Sequence, residues 1–272
     1  MKNNELHSDK NSVQQESFLK KQKNYKVLIT AIQIFILKAF FGLWEVFAYI
    51  DFIDDFIFSS PSRMYQMLLQ LLYTGELFSH IGITSLKVII GFSLGTLIGT
   101  AIALLLWSND MLRRVLNPYL VIFNSLPKTA LAPIIIVWVG NNMQAVIVTA
   151  LLISVIVTIL NVLTGFLQVE EDKIKLAQSF CATRLQVITK VIMPASVPSI
   201  VNALKVNLGL SFVGVIVGEF LVANQGLGFL IVHGSQMFRM DMVMLSIIIL
   251  SILASFMHQI IVVLEKKFDN WK

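Results

Sequence analysis

From residue 27 to residue 264 the chain alternates long apolar runs with short polar ones. A helix needs about 20 apolar residues to cross the hydrocarbon core of a bilayer. Runs near that length fall at 27–50, 85–107, 119–139, 145–167, 197–222 and 242–264, which predicts six transmembrane helices in a domain spanning 27–265. Residues 1–26 are dominated by Asn, Gln, Ser and Lys with almost nothing to bury, which predicts a disordered tail. Residues 266–272 form a second, short charged tail.

The interruptions within these runs are informative. The first span carries Lys38 and Glu45. After it, Met64, Met67, Leu68, Leu71 and Leu72 recur at helical spacing and predict an amphipathic interfacial helix over 64–77. Ser60 is its N-cap and Pro61 its first helical residue. The second span places Gly91, Gly95 and Gly99 on one face. Small residues let helices approach closely in lipid, so this stripe reads either as a seam between subunits or as a packing face within one chain.

The third span cannot be one regular helix, because it contains Pro127 and Pro133 beside Asn124 and Lys128. A broken backbone survives at membrane depth only where protein buries it or water reaches it. The fifth span carries Asn202, Lys205, Asn207 and Glu219, and a glycine-rich turn follows at 224–228. Between the fourth and fifth spans, residues 168–196 form a long polar, charged loop. A connection of that size calls for its own structure and a partner.

Composition fixes the class. Charged residues make up 14% of the chain against about 25% in soluble domains, the hydrophobic share is 56% and the mean hydropathy is +0.78. This is an all-α integral membrane protein. The lone Cys181 excludes an internal disulfide. The net charge of +5 does not point to nucleic acid, because the basic residues sit in loops on one side of the membrane.

With the N-terminus inside, the cytoplasmic segments hold the tail lysines from Lys2 to Lys26, Arg113, Arg114, Lys173, Lys175, Arg184, Lys190 and the C-terminal lysines. Only Arg63, Arg239 and the boundary residue Lys87 fall outside. That bias predicts both termini in the cytoplasm, together with 168–196. Residues 1–26 are too long and hydrophilic to be a secretory leader and read as an uncleaved cytoplasmic tail.

No catalytic constellation is present. His7, His80, His233 and His258 lie far apart without metal-ligand spacing, and each reads as a satisfied polar residue. The phosphate-binding pattern G-x-x-x-x-G-K-[ST] does not occur, so any ATP is bound by another chain.

The loop carries a pattern. Ala177, Cys181-Ala182-Thr183 and Val191-Ile192-Met193-Pro194 have the spacing of the EAA loop of ABC-transporter permeases. Phe58-Ser59-Ser60-Pro61-Ser62, Gly75-Glu76-Leu77, Ser85 to Phe92, Leu126 to Pro133, Gly218-Glu219-Phe220 and Gly226-Leu227-Gly228 follow in order over roughly 40–270. The ordered set resembles the permease subunits of nitrate, sulfonate and taurine importers and of thiamine-precursor systems.

The resemblance implies a type I ABC importer permease fold in a bacterial plasma membrane. Two permease copies, as a homodimer, would form the pathway; two ATPase subunits would dock below and an external binding protein would deliver a small nutrient. The loop would be a coupling helix near 173–180, seated in the ATPase. Lys173, Ile174, Lys175, Ala177, Gln178, Cys181, Ala182 and Pro194 are its candidate residues, with Ile174, Ala177 and Gln178 on the docking face. Lys175 stands where the family has glutamate, Leu176 where it has alanine and Cys181 where it has glycine. The lysine predicts a matched ATPase with a compensating charge. Cys181 must accept a left-handed backbone or the turn must be built differently.

Asn124, Lys128, Asn161 and Glu219 are the candidate pathway residues, because polar groups at membrane depth are functional candidates. Lys128 either attracts an anionic substrate or pairs structurally with Glu219. An ion-gradient-driven transporter is the main alternative, but no inverted repeat of paired broken helices accompanies the one broken span. A non-transporting scaffold is the other, and the polar residues of spans three and five argue against it.

Overall fold

The computed structural model describes residues 2–222 and 224–269, and every regular element among them is helical. The chain divides into two compact units, residues 1–65 and 66–272.

In the first unit, α1 (Lys2–Tyr49) contains the expected span as Val27–Tyr49. Its backbone is helical from Lys2, where the sequence predicted disorder. Residues 1–26 contain neither Gly nor Pro and include six lysines and three glutamines, so no strong breaker stops a helix from extending outward from the apolar span. After α2 (Asp55–Phe58) the chain turns into α3 (Pro61–Tyr73). The start of α3 is held as the sequence predicts: Ser60 Oγ accepts from the Arg63 amide at 3.5 Å. Glu45 joins it, accepting from the Ser62 amide at 3.0 Å. A carboxylate beside the free amides and positive end of a helix is favourable, which gives this intramembrane acid a local role.

The second unit begins within α3, which ends at Tyr73, short of the predicted 77, because Gly75 adopts φ 74. Next come α4 (Glu76–Ser108), α5 (Asp110–Ser125), a 3₁₀ turn Lys128–Leu131, α6 (Ala132–Val139) and α7 (Met143–Leu167). The polar loop contains α8 (Glu171–Ser179), α9 (Arg184–Val187), a π-helical stretch Ile188–Ile192 and α10 (Met193–Ala195). Finally α11 (Val197–Val222), α12 (Leu227–Gln236) and α13 (Met240–Asp269) complete the fold. The C-terminal tail predicted at 266–272 is thus helical to Asp269, and residues 270–272 lie outside the described ones.

At the centre, α4, α7 and α11 pack against one another. The glycine stripe of α4 faces a matching ladder on α7 in the same chain. A β-carbon at Gly91 would stand 3.0 Å from Ala150 Cβ, one at Gly95 2.6 Å from Ser154 Oγ, and one at Gly99 2.7 Å from Thr158 Cγ2. Such close approach is what drives helix association in lipid, where apolar burial contributes little.

Both numbers rise together in these pairs, so α4 and α7 run parallel. Between α7 and α11, Gly218 meets Val146, Gly214 meets Ala150 and Gly165 meets Ser199, so these two helices are antiparallel. A parallel α4 and α7 require the intervening chain to return across the membrane. The pair α5 and 128–139, bent by 85°, is therefore a broken span rather than a re-entrant loop. With the five regular spans it makes six. An ion pair of 2.6 Å between Lys205 and Glu265 ties the start of α11 to the end of α13. It brings the C-terminal end, the α4–α5 turn and residues 168–196 to one end of the bundle.

Candidate functional site

The loop end is built around α8. Its C-terminus closes with two bonds: the Cys181 amide donates to Gln178 O at 2.8 Å and the Ala182 amide to Ala177 O at 3.1 Å. This is the Schellman arrangement, with Cys181 at the position that favours glycine and with φ 55. The cysteine thus accepts the left-handed backbone, at a cost of order 1 kcal/mol. Directly after it, Thr183 and Gln186 form a capping box that starts α9. The continuation into α11 passes through the π-helical stretch just before Pro194. A proline has no amide to complete an α-helical ladder, and the wider turn accommodates the gap.

Tertiary contacts fix the orientation of α8. Ile174, Ala177 and Ala182 pack on a core containing Ala103, Leu106, Phe166, Val187 and Ile192. Arg184 donates to the Ser108 carbonyl at the end of α4, and Arg113 and Arg114 pair with Asp110 beside it. Behind the helix lies a cavity of about 520 Å³ lined by Trp107, Asp110, Arg113, Gln178 and Arg184.

The face expected to dock is split between two surroundings: Ile174 packs on the core, half-buried Ala177 touches both the core and the outer surface, and exposed Gln178 borders the cavity. The helix has two apolar edges, and the core of the bundle takes the first. What remains outside is Leu176 at 60% and Phe180 at 79% exposure. They border a shallow groove of about 510 Å³ with Lys173, Lys190, Val191 and Pro194. Exposed pairs of Lys173 with Glu170 and Lys175 with Glu171, both 3.3 Å, add little stability and set the charge pattern.

At the opposite end, a buried network joins α4 to the α11–α12 turn. Lys87 donates to Glu219 Oε1 at 2.8 Å and to Gln225 O at 3.0 Å. Thr84 donates to the same carboxylate at 3.0 Å and accepts from the Leu227 amide at 2.8 Å. The Gly228 amide donates to Glu219 Oε2 at 2.8 Å, and the Gly226 amide to His80 Nδ1 at 3.0 Å. Gly226 has φ 128, and a β-carbon there would run into the Glu219 carboxylate. So the glycines of this turn are required by the acid beneath them.

These bonds correct the reading of Glu219. It neither pairs with Lys128 nor faces a pathway: its side chain is fully buried, with Lys87 as its counter-ion. A carboxylate at that depth is tolerated only when paired and hydrogen-bonded, and Lys87 and Thr84 stand one helical turn apart on the adjacent face of α4. The sequence signal was present: Lys87 and Glu219 are both charges inside apolar runs. Lys128 instead donates to Asn124 O and Oδ1, both at 3.1 Å, bridging the carbonyl that the interrupted α5 leaves open. Asn124 is exposed, Lys128 half-buried, and Asn161 half-buried on α7.

Residues 91–270 match the family model for the inner membrane component of binding-protein-dependent transport systems. The chain belongs to that family. This permease is 25% identical over 231 residues to a putative aliphatic sulfonates transport permease of Bacillus subtilis, covering 85% of this chain and 84% of the relative. It is 28% identical over 195 residues to a formylaminopyrimidine transport permease of Halalkalibacterium halodurans, covering 72% and 78%. A taurine transport permease of Escherichia coli matches at 22% over 234 residues, covering 84% and 85%. In fold it is similar to an inward-facing structure of the MetNI methionine ABC transporter, with a TM-score of 0.58 and 20% identity over 71% of this chain and 98% of that one.

The permease is thus the transmembrane subunit of an ABC importer, a multi-pass membrane protein with the type I importer fold, and its ATPase is a separate subunit. Membership sets aside the gradient-driven and scaffold alternatives. It implies an ATPase and a substrate-binding protein as partners.

Proposed function

We propose that this permease forms the pathway for a small nutrient of the sulfonate, nitrate, taurine or thiamine-precursor kind, handed over by an extracytoplasmic binding protein. Two copies form the transporter in a bacterial plasma membrane, each seated on one of two ATPase subunits. The N- and C-termini and residues 168–196 face the cytoplasm, where the lysine and arginine bias puts them. ATP is held by the partner and the permease itself takes no cofactor. Relatives named for aliphatic sulfonates, taurine and formylaminopyrimidine support this range, and nitrate enters from the motif resemblance alone.

The observation that carries this reading is the presentation of α8. Its inner edge is locked to the core and, through Arg184, to the end of α4, while Leu176 and Phe180 stand exposed beside a groove. ATPase closure pushes on that exposed edge. The locked edge passes the displacement to α4 and, through the π-helical stretch, to α11, which alternates access between the two sides. Lys128 at the break of the third span meets the anionic end of the solute.

Reconstitution with candidate ATPase and binding-protein subunits tests the reading. Loaded binding protein should raise ATP hydrolysis and drive uptake. Uptake driven by an ion gradient without a retained ATPase would overturn it.

A further inference from the structure

Between them, α11 and α13 leave an open groove of about 430 Å³. One wall is apolar, with Gly209 and Phe212 of α11. The other carries Ser255, His258 and Gln259 beside Ala254 of α13, and Lys205 closes one end. All of these residues lie inside membrane spans, Val197–Val222 and Met240–Val263. Ser255, His258 and Gln259 are exposed and share one helix face through their three- and four-residue spacing.

An imidazole, a carboxamide and a hydroxyl exposed together at membrane depth do not suit lipid. Side chains of this kind lose their water partners in hydrocarbon without replacement, and within a bilayer they face a bundle interior or a water-filled cavity. The volume lies in the range of small-molecule sites, about 300–1,000 Å³. Gly209 adds room, since a β-carbon there would meet no atom within 4 Å.

Charge narrows the occupant. Lys205 keeps 26% of its side chain exposed, and among the described residues its ammonium pairs with Glu265 at 2.6 Å. That ammonium has donors to spare beyond one carboxylate oxygen. An arriving anion can share it, or exchange with Glu265 and let the end of α13 swing free.

We propose that this groove is a water-filled solute site of the translocation pathway, taking a small organic anion whose charged group meets Lys205 and whose body lies along Phe212 and Gly209. The assignment of a transported solute rests on the importer reading; that the groove is wet does not. It adds a second cation to the pathway beside Lys128, on different helices, and assigns a role to His258, which the sequence alone reads as incidental.

Cysteine accessibility in the full complex decides it. In a Cys181→Ser background, Ser255→Cys, His258→Cys and Gln259→Cys are expressed in membrane vesicles and treated with membrane-impermeant thiosulfonates of either charge. We expect rapid labelling, faster with the anionic reagent than with the cationic one, and a several-fold fall of that ratio when Lys205→Met is added. Labelling only by a lipid-soluble maleimide marks a lipid face and overturns the proposal. An unchanged reagent ratio in the Lys205→Met background removes the anion from it. Three cysteine positions guard against one variant that misassembles. Wet labelling in a permease that retains no ATPase would leave the groove standing and sink the importer reading instead.

Discussion

Lys87 Nζ lies 2.8 Å from Glu219 Oε1, although 132 positions separate them in the chain. The contact closes a cage in which α4 holds the α11–α12 turn by its backbone. Because Lys87, Thr84 and His80 all lie on α4 and Arg184 grips that helix at its other end, α4 connects the buried network to the 168–196 loop.

Breaking this pair leaves a buried charge uncompensated. Lys87→Met should lower stability by about 3–5 kcal/mol, as removal of one partner of a buried pair does. The double variant Lys87→Met with Glu219→Gln should recover most of the loss, since no net charge remains. Thermal unfolding in detergent measures both. Equal melting temperatures for the wild type and Lys87→Met would show that the pair is not sealed from water.

Packing between α4 and α7 makes a second prediction. A β-carbon at Gly95 would stand 2.6 Å from Ser154 Oγ, whereas one at Gly82 meets nothing within 4 Å. Gly95→Val should therefore cost about 1–3 kcal/mol by overpacking. Gly82→Ala should be neutral or stabilise by up to about 1 kcal/mol, because alanine restricts the unfolded chain. The same melting assay compares them, and a harmless Gly95→Val would mean that the two helices can part without loss.

Much of this was legible in the sequence, because the signals are local. Span lengths follow from apolar runs, the start of α3 from Ser60 and Pro61, and the broken span from Pro127 and Pro133. The partner of Glu219 was not legible: pairing across the bundle depends on which faces of α4 and α11 meet, and Lys128 looked equally available. Likewise α8 offers two apolar edges of similar size, and only the tertiary core decides that Ile174 is taken inward. The tail was misjudged for a different reason. Its polarity predicts that it buries little, which does not prevent a helix without Gly or Pro from extending.

Cys181 gives a third prediction. At φ 55 it occupies the glycine position of the Schellman turn. Cys181→Gly should relieve the strain of the β-carbon, a gain of about 1 kcal/mol offset in part by the greater freedom of glycine in the unfolded chain. Cys181→Val should do the opposite, since a branched side chain resists this backbone more strongly. Protease sensitivity of the 168–196 loop in vesicles reports on both. Faster cleavage of the glycine variant would contradict the strain argument.

The docking face of α8 supplies the last prediction, because the two edges of the helix make opposite forecasts. If Leu176 and Phe180 seat in the ATPase, Phe180→Ala removes a large apolar anchor whose body is now 79% exposed. Anchors of this kind contribute about 2 kcal/mol or more, so the affinity for the ATPase should fall roughly thirtyfold. Gln178→Ala should change it little, because Gln178 borders the cavity behind the helix. Lys175 is exposed and pairs only locally, so Lys175→Glu should weaken binding to the cognate ATPase while favouring one from a system whose loop carries the acid. Titration of the purified ATPase onto permease in nanodiscs measures all three. Binding lost with Gln178→Ala and kept with Phe180→Ala would return the contact to the inward edge, which would then have to leave the core formed by Phe166 and Ile192 when the importer assembles.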